Sequence, residues 1–224
     1  MKRTALSLPA TFLALAAAFV SVQPSRAATV LVDNFDNDLF DVFLVASEQF
    51  LAMSFTVGND WDFWQLDAVY LALAGYDTPA QDFSVELRED VGGVPGGSVV
   101  TLLGSVDPFV FDAYAYVPPP NTTLAAGSTY WITAASMSIS ADGGYVWVTT
   151  DDLSDTGTAG WSIGDDIAAS VDQGANWSTF GGEVGYLAIV ASAVPEPTNA
   201  IGTLLLITSA CLMRVCPRRR TVTA

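Results

Sequence analysis

The sequence contains no histidine, and its two cysteines, Cys211 and Cys216, both lie after residue 210. Without histidine there is no Ser-His-Asp or Cys-His arrangement, no imidazole zinc ligand and no imidazole base. Without cysteine, residues 28–193 have neither a thiol nucleophile nor a disulfide framework. These absences exclude the common thiol, imidazole and zinc chemistries from that segment and leave its stability to core packing.

Basic residues are also scarce. Residues 28–193 hold a single basic residue, Arg88, against 23 acidic residues, which gives the segment a net formal charge of −22. Such a surface repels phosphate, so we expect no nucleic acid partner and no contact with anionic lipid except through the basic ends. Because 51% of the residues are hydrophobic, the 224 residues suffice for one ordinary core.

The N-terminal residues have the pattern of an export signal. Lys2 and Arg3 precede an apolar run over residues 5–22, and Ser25 and Ala27 supply small residues at the −3 and −1 positions of a cleavage site. This order predicts a signal peptide over residues 1–27, with a helical apolar part. The alternatives are an uncleaved anchor and a buried helix.

The C-terminal residues combine a hinge, a short apolar run and an arginine cluster. Pro195 and Pro197 favour an exposed, extended hinge. The apolar run over residues 200–213 is shorter than the roughly 20 residues of a typical membrane span, so we predict a marginal hydrophobic helix. An arginine cluster holds its end on the cytoplasmic side: Arg218, Arg219 and Arg220. The alternative is a plain C-terminal anchor.

This segment resembles a known sorting signal. The motif Val194-Pro195-Glu196-Pro197-Thr198, the apolar run and the arginine cluster are similar to the PEP-CTERM segment of bacteria, a segment also labelled the ice-binding protein C-terminal domain. The resemblance implies recognition by an exosortase, membrane association before processing, and delivery to the cell surface or extracellular matrix. We therefore divide the sequence into a signal peptide (1–27), a central domain (28–193) and a sorting tail (194–224).

The central domain shows strand periodicity. In residues 83–88, Phe83, Val85 and Leu87 alternate with polar residues. Further strand patterns cover residues 48–57, 65–75, 109–117, 130–136, 145–150 and 185–192, with Gly- and Pro-rich turns between several of them. Many short strands of this kind predict an all-β domain, an antiparallel β-sandwich or jelly roll flanked by the two terminal helices.

Three stretches of this domain carry a second resemblance. The stretches "WQLDAVYLAL" (64–73), "VELREDVGGVPGG" (85–97) and "LAAGSTYWI" (124–132) are similar to the choice-of-anchor R domain. The resemblance implies a β-sandwich module on an exported bacterial protein. It implies no activity and transfers no catalytic residue.

Two sets of residues are candidates for ligand binding. Asp33, Asp36 and Asp38 concentrate oxygen ligands that suit calcium, although their spacing is not that of an EF-hand, and a solvated acidic loop is the alternative. Trp161 and Trp177 lie in a Gly-, Ser- and Asp-rich stretch, where exposed indoles would stack on a sugar. The alternative is that both indoles are buried in packing.

The resulting hypothesis is an exported protein with a structural or interaction role at the cell surface or in the matrix. A module that binds exopolysaccharide is the second hypothesis. A glycoside-active enzyme is third, because abundant carboxylates form chance pairs and do not by themselves make a site. We expect no catalytic residue and no cofactor other than structural calcium.

Overall fold

The computed structural model describes residues 27–76, 82–137, 143–158 and 160–194. Within these ranges every regular element is a β-strand, and the strand pairs are antiparallel. The prediction of an all-β antiparallel domain is therefore confirmed for the described residues. None of these residues belongs to a helix long and apolar enough for a membrane span. The predicted helices, within residues 1–22 and 200–213, lie outside the described residues.

Fifteen strands make up the described fold. In chain order they are β1 (Thr29–Asp33), β2 (Asp41–Val45), β3 (Phe50–Thr56), β4 (Phe63–Tyr76), β5 (Ser84–Asp90), β6 (Pro95–Leu102), β7 (Asp112–Tyr116), β8 (Thr123–Ala125), β9 (Thr129–Ala135), β10 (Gly144–Thr150), β11 (Thr156–Gly157), β12 (Ser162–Ser170), β13 (Ser178–Gly181), β14 (Val184–Gly185) and β15 (Leu187–Ala193).

The strands form two sheets. The first sheet has the order β11-β1-β15-β4-β10-β14, with β2 paired to β10 and both β7 and β8 paired to β4. The second sheet has the order β13-β12-β3-β9-β5-β6. Buried residues of both sheets belong to one hydrophobic cluster, so the sheets pack face to face in a β-sandwich-like arrangement.

Alternation along the strands explains which side chains reach this core. On β5 and just before it, Phe83, Val85 and Leu87 are each at most 2% exposed, as their spacing predicts. On β9, Trp131 and Thr133 point away from Ile132 and Ala134, which lie in the core. The period of two thus places one face of each sheet against the other and leaves the opposite faces available to loops and solvent.

Strand β4 is the branch point of the first sheet. It pairs with β15 along residues 64–71 and with β10 along residues 73–76. Its other side pairs with β8 and β7. Because β15 and β10 separate along the same side of β4, the chain around Tyr186 passes between them.

Hydrogen bonds fix this crossing. The indole Nε1 of buried Trp147 donates to the carbonyl of Tyr186 at 3.0 Å. Asn34, which is 2% exposed, donates from its side chain to the carbonyl of Gly185 at 3.1 Å and accepts from the amide of Leu187 at 2.8 Å. The Asn34 side chain therefore pairs with the backbone groups of Gly185 and Leu187 where the strand ladder is interrupted. These bonds fix Tyr186, which packs with Ala72 and Val148 on the outer face of the first sheet.

Candidate functional site: an apolar groove on the outer face of the first sheet

Two adjoining concavities form one open groove on the outer face of the first sheet. The first lobe has a volume of about 450 Å³ and the second a volume of about 470 Å³, and Leu39 and Phe111 line both. The first lobe is also lined by Phe35, Asn37, Asp38, Ala72, Asp112, Ala113 and Tyr186, and the second by Phe40, Asp41, Val42, Ala74, Val146 and Val148. We call this feature the outer groove.

The floor of the outer groove is made of small and branched side chains. Ala74 on β4 is the registered partner of Val146 on β10, and Ala72 and Val148 follow along the same two strands. Ala72, Val148 and Tyr186 form a small buried cluster of their own, outside the main core. Two alanines on the floor leave the depth that larger side chains would fill.

Two short segments of matching sequence form the walls. Residues 39–42 read Leu-Phe-Asp-Val and lead into β2, and residues 110–113 read Val-Phe-Asp-Ala and lead into β7. In each segment the aspartate accepts a hydrogen bond from the next amide at 2.8 Å, Asp41 from Val42 and Asp112 from Ala113. Each wall therefore places an exposed Phe beside the groove. Its aspartate is the first residue of the following strand, and the carboxylate is held there by the next backbone amide.

Backbone hydrogen bonds hold both walls against the sheet. The amide of Phe40 donates to the carbonyl of Thr149 at 2.9 Å, and the amide of Gly75 donates to the carbonyl of Phe109 at 2.7 Å. The hydroxyl of Tyr114 donates to the carbonyl of Val110 at 2.6 Å. The walls are thus anchored at their backbones while their apolar side chains stay accessible.

The first lobe combines aromatic rings with polar groups. Phe35 and Tyr186 stack with ring centroids 5.7 Å apart, and the Tyr186 hydroxyl donates to the carbonyl of Asn37. Burial, and after it the negative charge of Asp38, raises the pKa of Tyr186 above its ordinary value. The Tyr186 hydroxyl is therefore protonated at physiological pH and donates its hydrogen to the Asn37 carbonyl.

The outer groove is apolar but has an acidic rim. Leu39 is 62% exposed and Phe111 is 58% exposed, which is high for such side chains on a folded domain. Asp38, Asp41 and Asp112 supply negative charge, and no basic residue of the described ranges lines either lobe. An uncharged or cationic ligand with apolar surface is suited to this chemistry, whereas an anion is repelled.

Trp161 does not lie at the surface, so its predicted place in a sugar-binding platform is wrong. It is 5% exposed, lies parallel to Phe55 at 6.4 Å, and meets Trp64 edge-on at 5.3 Å. The Gly-rich context signals a turn correctly, because Gly160 has a φ of +87°. That turn directs the indole inward, where the burial of its large apolar area outweighs the polar character of its sequence neighbours.

Trp177 lies on the outer face of the second sheet and is half-buried. It packs against a separate cluster of Ala52, Trp131 and Ala168, and the Arg88 guanidinium lies 5.8 Å from its ring. Trp161 belongs to the main core, so the structure does not bring the two tryptophans together. A role for Trp177 in glycan binding stays a prediction.

The three predicted calcium ligands are not gathered into a site. Asp33 lies on β1, Asp36 is exposed in the following turn, and Asp38 lines the first lobe of the outer groove. Among the residues that the structure describes, no three acidic, histidine or cysteine side chains are placed to hold a metal ion. Calcium binding at this loop stays a prediction.

The sorting motif begins where the described chain ends. The amide of Val194 donates to the carbonyl of Phe63 at 3.1 Å, which ties the last described residue to the start of β4. The rest of the motif, Pro195, Glu196 and Pro197, and the cluster Arg218, Arg219 and Arg220 lie outside the described residues. Comparison with protein-family models found no match, and comparison with curated proteins found none either.

Proposed function

We propose that this chain is an exported protein with a structural or interaction role at the cell surface or in the extracellular matrix. The sequence of its two ends supports export: a signal peptide over residues 1–27 and a PEP-CTERM-like tail over residues 194–224. In this proposal an exosortase cuts near the Pro195-Glu196-Pro197 hinge, and the membrane holds the tail until that cut. The two sheets form the β-sandwich that is delivered.

The outer groove is the proposed interaction surface. The observation that supports it is an apolar groove with exposed Leu39 and Phe111 on a domain whose net formal charge is −22. Exposed apolar surface of this kind tends to mark a binding site on a soluble domain. The open, two-lobed shape suits an extended ligand better than a small enclosed one.

Intact-mass analysis of surface material from the producing cells tests the sorting part of this proposal. We expect a chain that begins near Ala28 and ends close to Pro197. Recovery of the complete arginine tail on surface-located protein would exclude processing and leave a plain membrane anchor.

Glycan binding is the second candidate function, and the first lobe favours it. The accessible ring of Phe111 and the partly buried ring of Phe35 lie beside Asp38 and Asp112 in one concavity, whose lining also includes the buried Tyr186. Flat rings stack on sugar faces while carboxylates accept hydrogen bonds from hydroxyl groups. The candidate glycan contacts therefore shift from Trp161 to the outer groove.

Binding of the purified exopolysaccharide of the producing cells tests this candidate. Phe111→Ala should weaken binding by about five- to tenfold, since an aromatic contact contributes roughly 1 kcal/mol. Phe63→Ala is the matched control, because Phe63 is similarly exposed, at 53%, near the opposite end of β4. Equal losses from both variants would contradict a site in the groove. Release of reducing sugar would instead support the glycoside-active alternative, and we expect none.

A further inference from the structure

The chemistry of the outer groove is suited to a segment that is both apolar and cationic. Its floor and walls are apolar, its rim carries Asp38, Asp41 and Asp112, and its lining among the described residues includes no cation. The described domain has one basic residue, Arg88, and that residue is already paired with Glu86 on the second sheet at 2.9 Å. The domain therefore offers no internal positive charge to balance the groove.

The same chain contains a segment with the complementary chemistry. Residues 200–213 are apolar, and Arg214 and the cluster at 218–220 follow without any acidic residue. We propose that residues 204–220 occupy the outer groove of their own chain when the uncut tail is outside the membrane. Apolar side chains of the run cover Leu39 and Phe111, and the arginines lie against the acidic rim.

The distances along the chain allow this contact. Val194 is hydrogen-bonded to Phe63, and the groove floor at Ala72 to Ala74 lies nine to eleven residues farther along β4. At about 3.3 Å per strand residue that separation is roughly 30–36 Å. An extended chain covers at most about 3.6 Å per residue, so residues from about 204 onwards reach the groove. The outer face of β4 between these points exposes Tyr70, which gives the run an apolar surface to follow.

A bound tail keeps its apolar run away from water and from other chains. The contact itself is independent of whether any exosortase acts on the chain.

The native cysteines provide a direct test, because Cys211 and Cys216 lie in the tail and residues 1–194 contain none. A cysteine introduced at Leu39 reports on the groove. One introduced at Val171, which is exposed on the loop after β12, is the control. Each is placed in the full chain with Cys216→Ser, and separately with Cys211→Ser, so that the tail cysteines cannot pair with each other. Mild oxidation and peptide mapping then measure the intramolecular disulfide, which forms only when the two Cα atoms approach within about 7 Å.

We expect the Leu39→Cys chain to form the link at least about ten times faster than the Val171→Cys chain, a ratio equivalent to about 1.4 kcal/mol. Asp38→Asn with Asp112→Asn should slow the link at position 39, because the rim loses two charges. Asp60→Asn with Asp165→Asn removes two exposed charges outside the groove and should leave the rate unchanged. Equal rates at positions 39 and 171, or equal effects of the two charge pairs, would overturn the proposal. Disulfide dimers that disappear on dilution would place the tail of a second copy in the groove and also overturn it.

The same assay distinguishes failure of this inference from failure of the proposed function. The disulfide is measured on the uncut chain in solution, without cells or processing enzyme. Rapid disulfide formation at position 39 together with an uncut tail on cells would support the contact between tail and groove and exclude processing by an exosortase. No link together with a trimmed surface protein would do the opposite.

Discussion

Removal of the Trp161 indole should destabilise the domain by a large fraction of its total stability. The ring is 5% exposed and packs on two aromatic neighbours, Phe55 at 6.4 Å and Trp64 at 5.3 Å. Truncation of a buried Trp to Ala costs about 3–5 kcal/mol, against a total free energy of unfolding of about 5–15 kcal/mol. With a urea m value of about 2 kcal/mol per molar, the unfolding midpoint of Trp161→Ala should fall by about 1.5–2.5 M.

Trp161→Phe should be much milder for a specific reason. The indole Nε1 is buried and has no hydrogen-bond partner among the described residues. A buried unsatisfied donor costs about 1–3 kcal/mol, so its removal offsets part of the packing lost with the smaller ring. We therefore expect Trp161→Phe to lie within about 1.5 kcal/mol of the parent chain.

Urea unfolding followed by circular dichroism measures both variants, with Trp177→Ala as a half-buried reference. That reference should cost less than Trp161→Ala, because part of the Trp177 ring already faces solvent. A loss below about 1 kcal/mol for Trp161→Ala would refute the assignment of this ring to the core. Equal losses for Trp161→Ala and Trp161→Phe would refute the role given to the unpaired N–H.

Three further predictions concern other parts of the fold. Gly185→Ala should lower the free energy of unfolding by about 2–3 kcal/mol in thermal unfolding, because the new Cβ would lie 2.7 Å from the fixed indole of Trp147. Gly75→Ala should cost less, because the Phe109 ring that its Cβ would meet is 50% exposed and can rotate away. The Asp172 pKa is lowered from 3.8 to about 2, first by the Asn176 side chain, so the stability that the ionised carboxylate contributes is present above pH 4 and lost as the pH falls towards 2. An NMR titration should show the lowered pKa, and Asn176→Ala should raise it. Arg88→Gln should loosen the β12–β13 loop, because Arg88 pairs with Glu86 and lies against Trp177. Hydrogen exchange of the Gly174 amide should be faster in this variant than in the control Glu89→Gln, and unchanged exchange would contradict that role.

The sequence predicts the strands with strong alternation and misses those that are short. The pattern over residues 65–75 corresponds to β4, and the one over residues 130–136 corresponds to β9 with a shift of one residue. By contrast, β11 and β14 have two residues each, too few for a period to be visible. Their positions depend on pairing with distant strands, which a local pattern does not encode.

The outer groove could not be predicted by strand periodicity. Residues 109–117 have a strand pattern, but β7 begins only at Asp112, and residues 110–113 form a wall of the groove. The signal that could have found the groove is the recurrence of apolar-Phe-Asp-apolar at residues 39–42 and 110–113. Nothing in either segment alone says that the two walls face each other, because β4 and β10 bring them together.

Retention in the extracellular matrix tests the central claim most directly, namely that the outer groove is the interaction surface of an exported protein. Producing cells that express the parent chain, a groove variant (Leu39→Ser with Phe111→Ser) or a control (Val99→Ser with Val171→Ser) are fractionated, and the protein is quantified by intact mass in matrix and culture medium. All four positions are exposed, so both variants should fold. We predict that the groove variant moves from the matrix into the medium while the control stays with the parent. Equal retention of all three chains, or their absence from every exported fraction, would contradict the account.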